Sequence, residues 1–203
     1  MPSLEELKNK TRSKNNFILI RHGESESNTK GIVSSTRGKN GDKLTLKGKG
    51  QVEESIIVID KILKKETKNR NGEKIDIIIS SPFTRTTETA NILKDKLDFQ
   101  GDIIFDERIR ERSFVDYDGK KYDSYYSDRS EEGVHGRDDF DAKTENGESK
   151  RETRNRMMEF FYEIDKKYEG KNILVVTHFD PLFLAFSGLK GLNGEEVKTY
   201  RDE

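Results

Sequence analysis

Two of the three histidines in the chain stand just beyond short apolar runs. His22 follows residues 17–20 after one arginine, and His178 follows residues 173–176 after one threonine. Both runs are rich in β-branched residues, which is typical of buried strands in a parallel sheet. In an open α/β sheet, ligands bind outside the carboxyl ends of the strands. Both histidines are therefore predicted to lie at a functional site, since packing alone would not explain the pair.

The residues next to His22 suit an anionic ligand. Arg21 carries a planar, permanently charged guanidinium that fits phosphate oxygens. Gly23 allows close approach of the backbone, and the amides after it can point at an anion. His22 itself can act as a nucleophile near neutral pH. The tripeptide alone is weak evidence, because a turn with a satisfied histidine could have the same sequence.

A third polar cluster, residues 80–90, follows the apolar run 75–79. Pro82 interrupts the strand, and Arg85 falls in the first turn of the helix predicted to follow. An arginine in that turn opposes the helix dipole, and this local cost suggests that it has an anionic ligand. The alternative interpretation is a surface arginine paired with Glu88.

Helical patterns alternate with these runs. The first helix places apolar residues at spacings of three and four, with lysines opposite, as expected for a helix packed on a core. The predicted helices cover residues 46–65, 84–97 and 149–168, and residues 102–105 are predicted as a further strand at the sheet edge. This order predicts an α/β fold, a three-layer α/β/α sandwich with a mostly parallel central sheet.

The length of 203 residues is consistent with a single domain over residues 1–203. Residues 112–147 form a polar segment with many tyrosines, aspartates and glycines and little periodicity. A segment of this kind in a compact domain is usually a functional lid or a locally disordered loop. It contains the third histidine, His135, which is interpreted as solvent-exposed or as a lid residue.

Composition excludes several classes of function. The 38 lysines and arginines nearly balance the 39 aspartates and glutamates, so nucleic-acid and anionic-membrane partners are not expected. The absence of cysteine excludes disulfides, thiolate metal sites and cysteine nucleophiles. The N-terminus lacks the apolar core of a signal peptide, and no stretch approaches the roughly 18 apolar residues that span a bilayer. A cytoplasmic protein is expected, and the oligomeric state stays open.

Taken together, the clusters resemble the histidine phosphatase superfamily, also called the phosphoglycerate mutase-like family. Five segments are similar to the family's motifs and follow in the family's order. They are the nucleophile motif 21–25 with Asn28; the helix entry Leu44, Thr45, Gly48 and Gln51; the second phosphate motif 80–90; the proton-donor segment 108–114; and the helix start 146–149. Each motif is modest alone, whereas five in order are highly specific.

The resemblance implies a phosphatase that hydrolyses phosphomonoesters, with a small phosphorylated metabolite as substrate. His22 would attack phosphorus and carry the phosphoryl group as a phosphohistidine. Arg21, Arg85 and His178 would surround the phosphoryl oxygens, so that developing charge meets preorganised donors. Asn28 would add a neutral donor. No metal ion and no other cofactor is implied.

Glu111 is the proton donor that the resemblance implies. It would protonate the leaving oxygen and later deprotonate water, which requires a pKa raised by burial or by neighbouring carboxylates. From the residues alone, an ordinary surface ion-pair cluster would look identical, because arginines stand at positions 108, 110 and 112.

The chain departs from the family after His178, where one or two small residues, typically glycine, are usual. Here Phe179 and Asp180 follow. Phe179 is expected to narrow the pocket and to contact the substrate. Asp180 is expected to cap a helix that begins at Pro181. Its alternative roles are negative charge near the phosphate and competition with Glu111 as proton donor.

Two other functions stay open. Phosphoglycerate mutases of the family form the same phosphohistidine but return the phosphoryl group to the substrate. They generally carry a tyrosine just after the Glu-Arg pair, where Phe114 stands here, and a longer insertion than residues 112–147, so a phosphatase is favoured. The third candidate is a non-catalytic module that binds phosphorylated ligands, and the complete set of catalytic residue types weighs against it.

Overall fold

The computed structural model describes residues 13–36, 41–66, 74–125 and 139–197. Its sheet consists of four parallel strands in the order β1-β4-β2-β3. The strands are β1 (Asn16–Arg21), β2 (Ile77–Ser80), β3 (Ile104–Phe105) and β4 (Asn172–Thr177). All four predicted strands are present, and β3 is the short edge strand that the sequence indicated. The predicted position of His135 lies outside the described residues.

Five α-helices that are described from end to end accompany the sheet. They are α1 (Glu26–Lys30), α2 (Leu46–Glu66), α3 (Thr84–Lys96), α4 (Lys150–Lys167) and α5 (Phe179–Leu189). The three helices predicted from periodicity are confirmed to within one residue at each end. The start of α4 is fixed by a capping box, because Ser149 Oγ accepts from Glu152 N at 3.0 Å while Ser149 N donates to Glu152 Oε2 at 2.8 Å.

Helices cover both faces of the sheet, so the predicted three-layer α/β/α sandwich is confirmed. Successive strand residues point to opposite faces, as the pleat requires. Ile18, Leu174 and Val176 pack in one core with α2 and α3. Phe17 and Val175 belong to the other core, with α4 and α5. Both faces of the strands are therefore buried, which explains why these runs are apolar throughout.

The strand register brings three chain segments to one edge of the sheet. Arg21 lies beside Thr177, the last residue of β4, and Ser80 lies beside Val176. The residues that follow β1, β2 and β4 therefore leave the sheet at the same level, and the first of them are His22, Ser81 and His178.

The segment 112–147 is described in two parts, up to residue 125 and from residue 139. Its first part packs against the loop that follows α1, since Val33 N donates to Lys120 O and Gly119 N donates to Val33 O, both at 2.8 Å. Tyr125 is 3% exposed and meets the Phe114 ring edge-on at 4.9 Å. None of the described helices is both long enough and apolar enough to cross a bilayer.

Candidate active site

His22 lies directly after β1, and 6% of its surface is exposed. Its backbone N–H donates to Thr177 O at 3.0 Å, which extends the β1–β4 pairing by one residue. Its Nδ1 lies 2.7 Å from Gly23 O. Because a carbonyl oxygen can only accept, Nδ1 carries the proton and Nε2 keeps its lone pair. The nitrogen that can attack an electrophile is therefore Nε2.

The loop after His22 is fixed against the start of α2. A Cβ at Gly23 would collide with Gly48 O, so this close backbone contact requires glycine. Glu24 N donates to Gln51 Oε1 and Thr45 N donates to Glu24 O, each at 2.9 Å. The residues that resemble the family's helix entry thus act structurally, by holding the loop that carries His22.

Arg85 joins the segments that leave β1, β2 and β4. Its Nε donates to His22 Nε2 at 3.0 Å, and one Nη2 hydrogen is directed at His178 Nδ1, also at 3.0 Å. The remaining N–H groups reach Ser34 Oγ, Ser34 O and Asp42 Oδ2 at 3.2, 2.9 and 3.0 Å. All five guanidinium donors therefore have acceptors. The alternative pairing with Glu88 is wrong, because that carboxylate accepts from Leu44 N at 2.7 Å.

Burial and the charge of Arg85 control the protonation of His22. Burial is the larger cause, and together with Arg85 it lowers the pKa of His22 to about 3. The imidazole is therefore neutral at any pH near neutrality. A neutral ring with a free Nε2 lone pair is the form that a nucleophile requires.

His178 lies behind Arg85 rather than on the cavity wall. It is fully buried, and its ring meets the His22 ring at a centroid distance of 5.2 Å. Since Nδ1 accepts from Arg85, Nε2 carries the proton and donates to Ser81 Oγ at 2.8 Å. Burial, followed by the charge of Arg85, lowers its pKa well below the ordinary value. In this arrangement His178 orients Arg85, and direct contact with a phosphoryl group stays a prediction.

Asp42 belongs to the site, although the sequence did not identify it as a candidate. It is 7% exposed and forms an ion pair with Arg85 at 3.0 Å. Ser27 N and Oγ donate to its carboxylate at 2.9 and 2.7 Å, and Ser25 Oγ donates at 3.2 Å. Burial opposes its ionisation, but the hydrogen bonds from Ser27 and the charge of Arg85 outweigh burial and lower the pKa of Asp42. Asp42 thus fixes Arg85 to the N-terminal turn of α1.

Replacing Asp42 should destabilise the fold. Asp42→Ala would leave the buried guanidinium of Arg85 without its carboxylate, so we expect the free energy of unfolding to fall by about 3 kcal/mol. Urea unfolding followed by circular dichroism measures this change. Asp60→Ala, which removes an exposed aspartate from α2, is the matched control and should change stability little. Equal stabilities of the two variants would contradict the structural role of Asp42.

A cavity of about 630 Å³ opens beside His22 and Arg85. Its wall combines two arginines, three carboxylates and four aromatic rings with small polar residues. The lining residues are Arg21, His22, Glu24, Ser27, Asn28, Gly31, Val33, Ser34, Ser35, Gln51, Arg85, Glu111, Phe114, Tyr122, Tyr125, Phe179 and Asp180. The site residues predicted from the sequence, except His178, therefore meet at one cavity.

Glu111 lines this cavity and has an unusual environment. Arg112 N donates to its Oε1 at 2.9 Å, and Oε2 has no hydrogen-bond partner among the described residues. Burial, and after it the charge of Asp180, raises the pKa of Glu111 to about 7. Glu111 itself takes part in no ion pair among the described residues, although its arginine neighbours do. Arg108 pairs with Asp106 rather than with Glu111.

The expected cap role of Asp180 is wrong. The helix α5 begins at Phe179 with His178 as its N-cap, so Asp180 lies inside the first turn. Its Oδ2 accepts from Arg112 Nε at 2.7 Å. The sequence could not show this ion pair, because the two residues are 68 positions apart. Asp180 lines the cavity, which places its charge at the pocket, and competition with Glu111 as proton donor stays open.

The other predicted binding residues differ in how firmly they are held. Asn28 Oδ1 accepts from Ser25 N at 3.1 Å, and its amide nitrogen has no partner among the described residues. Arg21 is exposed and lies over the Phe179 ring at 5.6 Å. Phe179 also stacks on Phe183 at 6.3 Å. Asn28 and Arg21 therefore have donors available for a ligand in the cavity.

At the carboxyl edge of the sheet, the site combines a neutral buried histidine, a buried arginine and a carboxyl group of raised pKa. These groups are suited to phosphoryl transfer. The family model of the histidine phosphatase superfamily (branch 1) matches residues 17–201. The chain belongs to this superfamily.

Relatives of two activities are similar to the chain. A 2,3-bisphosphoglycerate-dependent phosphoglycerate mutase of Thermoplasma acidophilum is 32% identical over 89% of this chain and 78% of that protein. A putative phosphoserine phosphatase 2 of Hydrogenobacter thermophilus is 38% identical over 52% of this chain and 44% of that protein. The solved structure of the Entamoeba histolytica phosphoserine phosphatase shares the fold, with a TM-score of 0.65 and 23% identity over 93% and 85% of the two chains.

Proposed function

We propose that the chain is a metal-independent phosphatase that hydrolyses small phosphomonoesters through a phosphohistidine at His22. The observation that carries this proposal is the state of His22, a buried neutral ring whose Nε2 lone pair lies 3.0 Å from Arg85 Nε beside a cavity. The phosphatases among the relatives and solved structures support the same reaction class.

The first step transfers the phosphoryl group. Substrate oxygens take up donors of Arg85, which frees the Nε2 lone pair of His22 to attack phosphorus in line with the leaving oxygen. As the N–P bond forms and the P–O bond breaks, Glu111 gives its proton to the leaving oxygen. The alcohol departs, and the developing charge on the phosphoryl oxygens is stabilised by Arg85 and Arg21.

The second step regenerates the histidine. Water attacks phosphorus from the side that the alcohol vacated, and the Glu111 carboxylate takes up the proton of that water. The N–P bond then breaks, and its electron pair returns to Nε2 of His22. One carboxyl group thus serves as acid and then as base, which suits a pKa close to neutrality.

The pH dependence should report the proton on Glu111. This group must be protonated for the first step, so kcat/KM for an alkyl phosphate should fall about tenfold per pH unit above about 7. An aryl phosphate, whose leaving group needs no proton, should lack that alkaline limb. Profiles of kcat/KM from pH 5 to 9 for both substrates measure the difference. The same alkaline limb for both would contradict the assignment.

The second candidate function, phosphoglycerate mutase, is favoured by the Thermoplasma acidophilum relative. A mutase returns the phosphoryl group to the substrate, whereas a phosphatase releases it to water. Wild-type protein should release inorganic phosphate from p-nitrophenyl phosphate and, more slowly, from 3-phosphoglycerate, and a chelator should leave that release unchanged. Interconversion of the phosphoglycerate isomers without phosphate release would indicate a mutase. Loss of activity with the chelator would contradict metal independence. A protein inactive on both compounds would favour a non-catalytic module.

A further inference from the structure

The cavity wall carries more carboxyl groups than cationic side chains. Among the described residues, its wall holds the carboxylates of Glu24, Glu111 and Asp180, and its cations are Arg21 and Arg85. Arg85 is placed for the phosphoryl group, since it contacts His22 directly. A substrate that brought a second anion would thus meet more carboxylates than arginines.

The three carboxylates are not equally available to a ligand. Both oxygens of Glu24 are engaged, because Oε1 accepts from Thr45 Oγ1 and Oε2 accepts from Lys47 Nζ, each at 2.9 Å. Glu111 is protonated below a pH of about 7. Asp180 uses only Oδ2, and its Oδ1 has no hydrogen-bond partner among the described residues. Asp180 therefore presents a free acceptor oxygen to the cavity.

The partner of Asp180 does not hide this charge from the cavity. Arg112 is 5% exposed, lies over the Phe114 ring at 4.2 Å and is not part of the cavity wall. The ion pair is thus oriented with its carboxylate toward the cavity and its guanidinium behind.

On the basis of the proposed phosphatase function, we propose that Asp180 makes this cavity select phosphomonoesters of uncharged or cationic alcohols and reject those whose leaving group carries a second anion. An alcohol O–H or an ammonium N–H can donate to the free oxygen of Asp180. A carboxylate or second phosphate in the same place would face like charge in a partly desolvated cavity, where repulsion is screened less than in water.

Glycerol 3-phosphate and 3-phosphoglycerate form a matched pair for the test, because they differ mainly in a CH₂OH group against a carboxylate. Their dissociation constants are measured by calorimetry in a His22→Ala background, which prevents turnover. We expect 3-phosphoglycerate to bind about tenfold more weakly than glycerol 3-phosphate. Adding Asp180→Asn should bring the ratio close to one, whereas adding Glu24→Gln, the control at an engaged carboxylate, should leave it almost unchanged.

The ratio within one variant does not depend on the fraction of folded protein, so a modest loss of stability would not obscure the result. Equal binding of the two compounds when Asp180 is intact would overturn the inference, and so would a preference that Asp180→Asn leaves unchanged. Hydrolysis of p-nitrophenyl phosphate by the wild type tests the proposed function separately, because that assay does not involve the second charged group.

Discussion

His22→Ala is expected to lower kcat for every phosphomonoester by about 10⁴-fold or more. The variant loses the nitrogen that forms the covalent intermediate, and the other groups of such a site retain only a small residual rate when the nucleophile is removed. The fold should persist, because the hydrogen bond that His22 makes to Thr177 O comes from the backbone rather than from the ring. Steady-state kinetics with p-nitrophenyl phosphate measure the loss.

A direct test of the intermediate accompanies this variant. Wild-type protein mixed briefly with labelled substrate and quenched in base should carry an acid-labile phosphoryl group, and His22→Ala should carry none. His22→Asn, which keeps a polar side chain, should also be inactive, since an amide nitrogen has no lone pair suited to attack. Substantial turnover by either folded variant would exclude the covalent mechanism.

The sequence was sufficient to predict the layers of the fold, because strands and helices each leave a local pattern of apolar residues. The strands are buried on both faces, so each appears as an uninterrupted apolar run, and α2 shows its core stripe as Val52, Ile59 and Leu63. Boundaries were less exact at β2, which begins at Ile77 rather than at residue 75. Just before β2, Asp76 bonds to the first residue of the neighbouring strand β4. Its N donates to Asn172 O at 2.9 Å, and its Oδ2 accepts from Asn172 N at 2.8 Å.

The sequence also predicted which segments meet. His22, Arg85 and His178 follow strands whose carboxyl ends share one edge, so a parallel sheet brings them together whatever the loops do. Asp42 could not be found this way, because it lies in a loop between α1 and α2 and its role depends on a three-dimensional contact with Arg85. The arginine in the first turn of α3 indicated an anionic ligand, so it did not point to a carboxylate of the chain itself. In the structure Arg85 is paired with Asp42.

The environment of Glu111 shows a further limit of sequence reasoning. The two arginines beside it in the sequence bind different carboxylates. Arg110 Nη2 donates to Glu148 Oε1 at 2.7 Å, whereas Arg112 Nε donates to Asp180 Oδ2 at 2.7 Å. A pKa depends on which charges end up close and on how much water is excluded, and neither can be deduced from the order of residues. The raised pKa of Glu111 is therefore a property of the folded site alone.

Glu111→Gln should separate substrates by their leaving groups. Glutamine keeps the size of the side chain but has no acidic proton, so hydrolysis of an alkyl phosphate should slow by about 10²- to 10⁴-fold. An aryl phosphate such as p-nitrophenyl phosphate should slow by less than about tenfold in the same step, because its leaving group departs as a stable anion. The values of kcat/KM for the two substrates, measured at pH 6 where Glu111 is protonated, give this selectivity.

Asp180→Asn is the matched control for this experiment, since it also removes a carboxylate from the cavity wall while keeping its shape. It should slow the alkyl and aryl phosphates by similar factors, because Asp180 is paired with Arg112 and acts on the reaction through charge. Its separate signature should be an alkaline limb moved to lower pH, because Asp180 contributes to the raised pKa of Glu111. If instead Asp180→Asn slowed only the alkyl substrate and Glu111→Gln behaved like the wild type, Asp180 would be the proton donor and Glu111 would have no part in proton transfer.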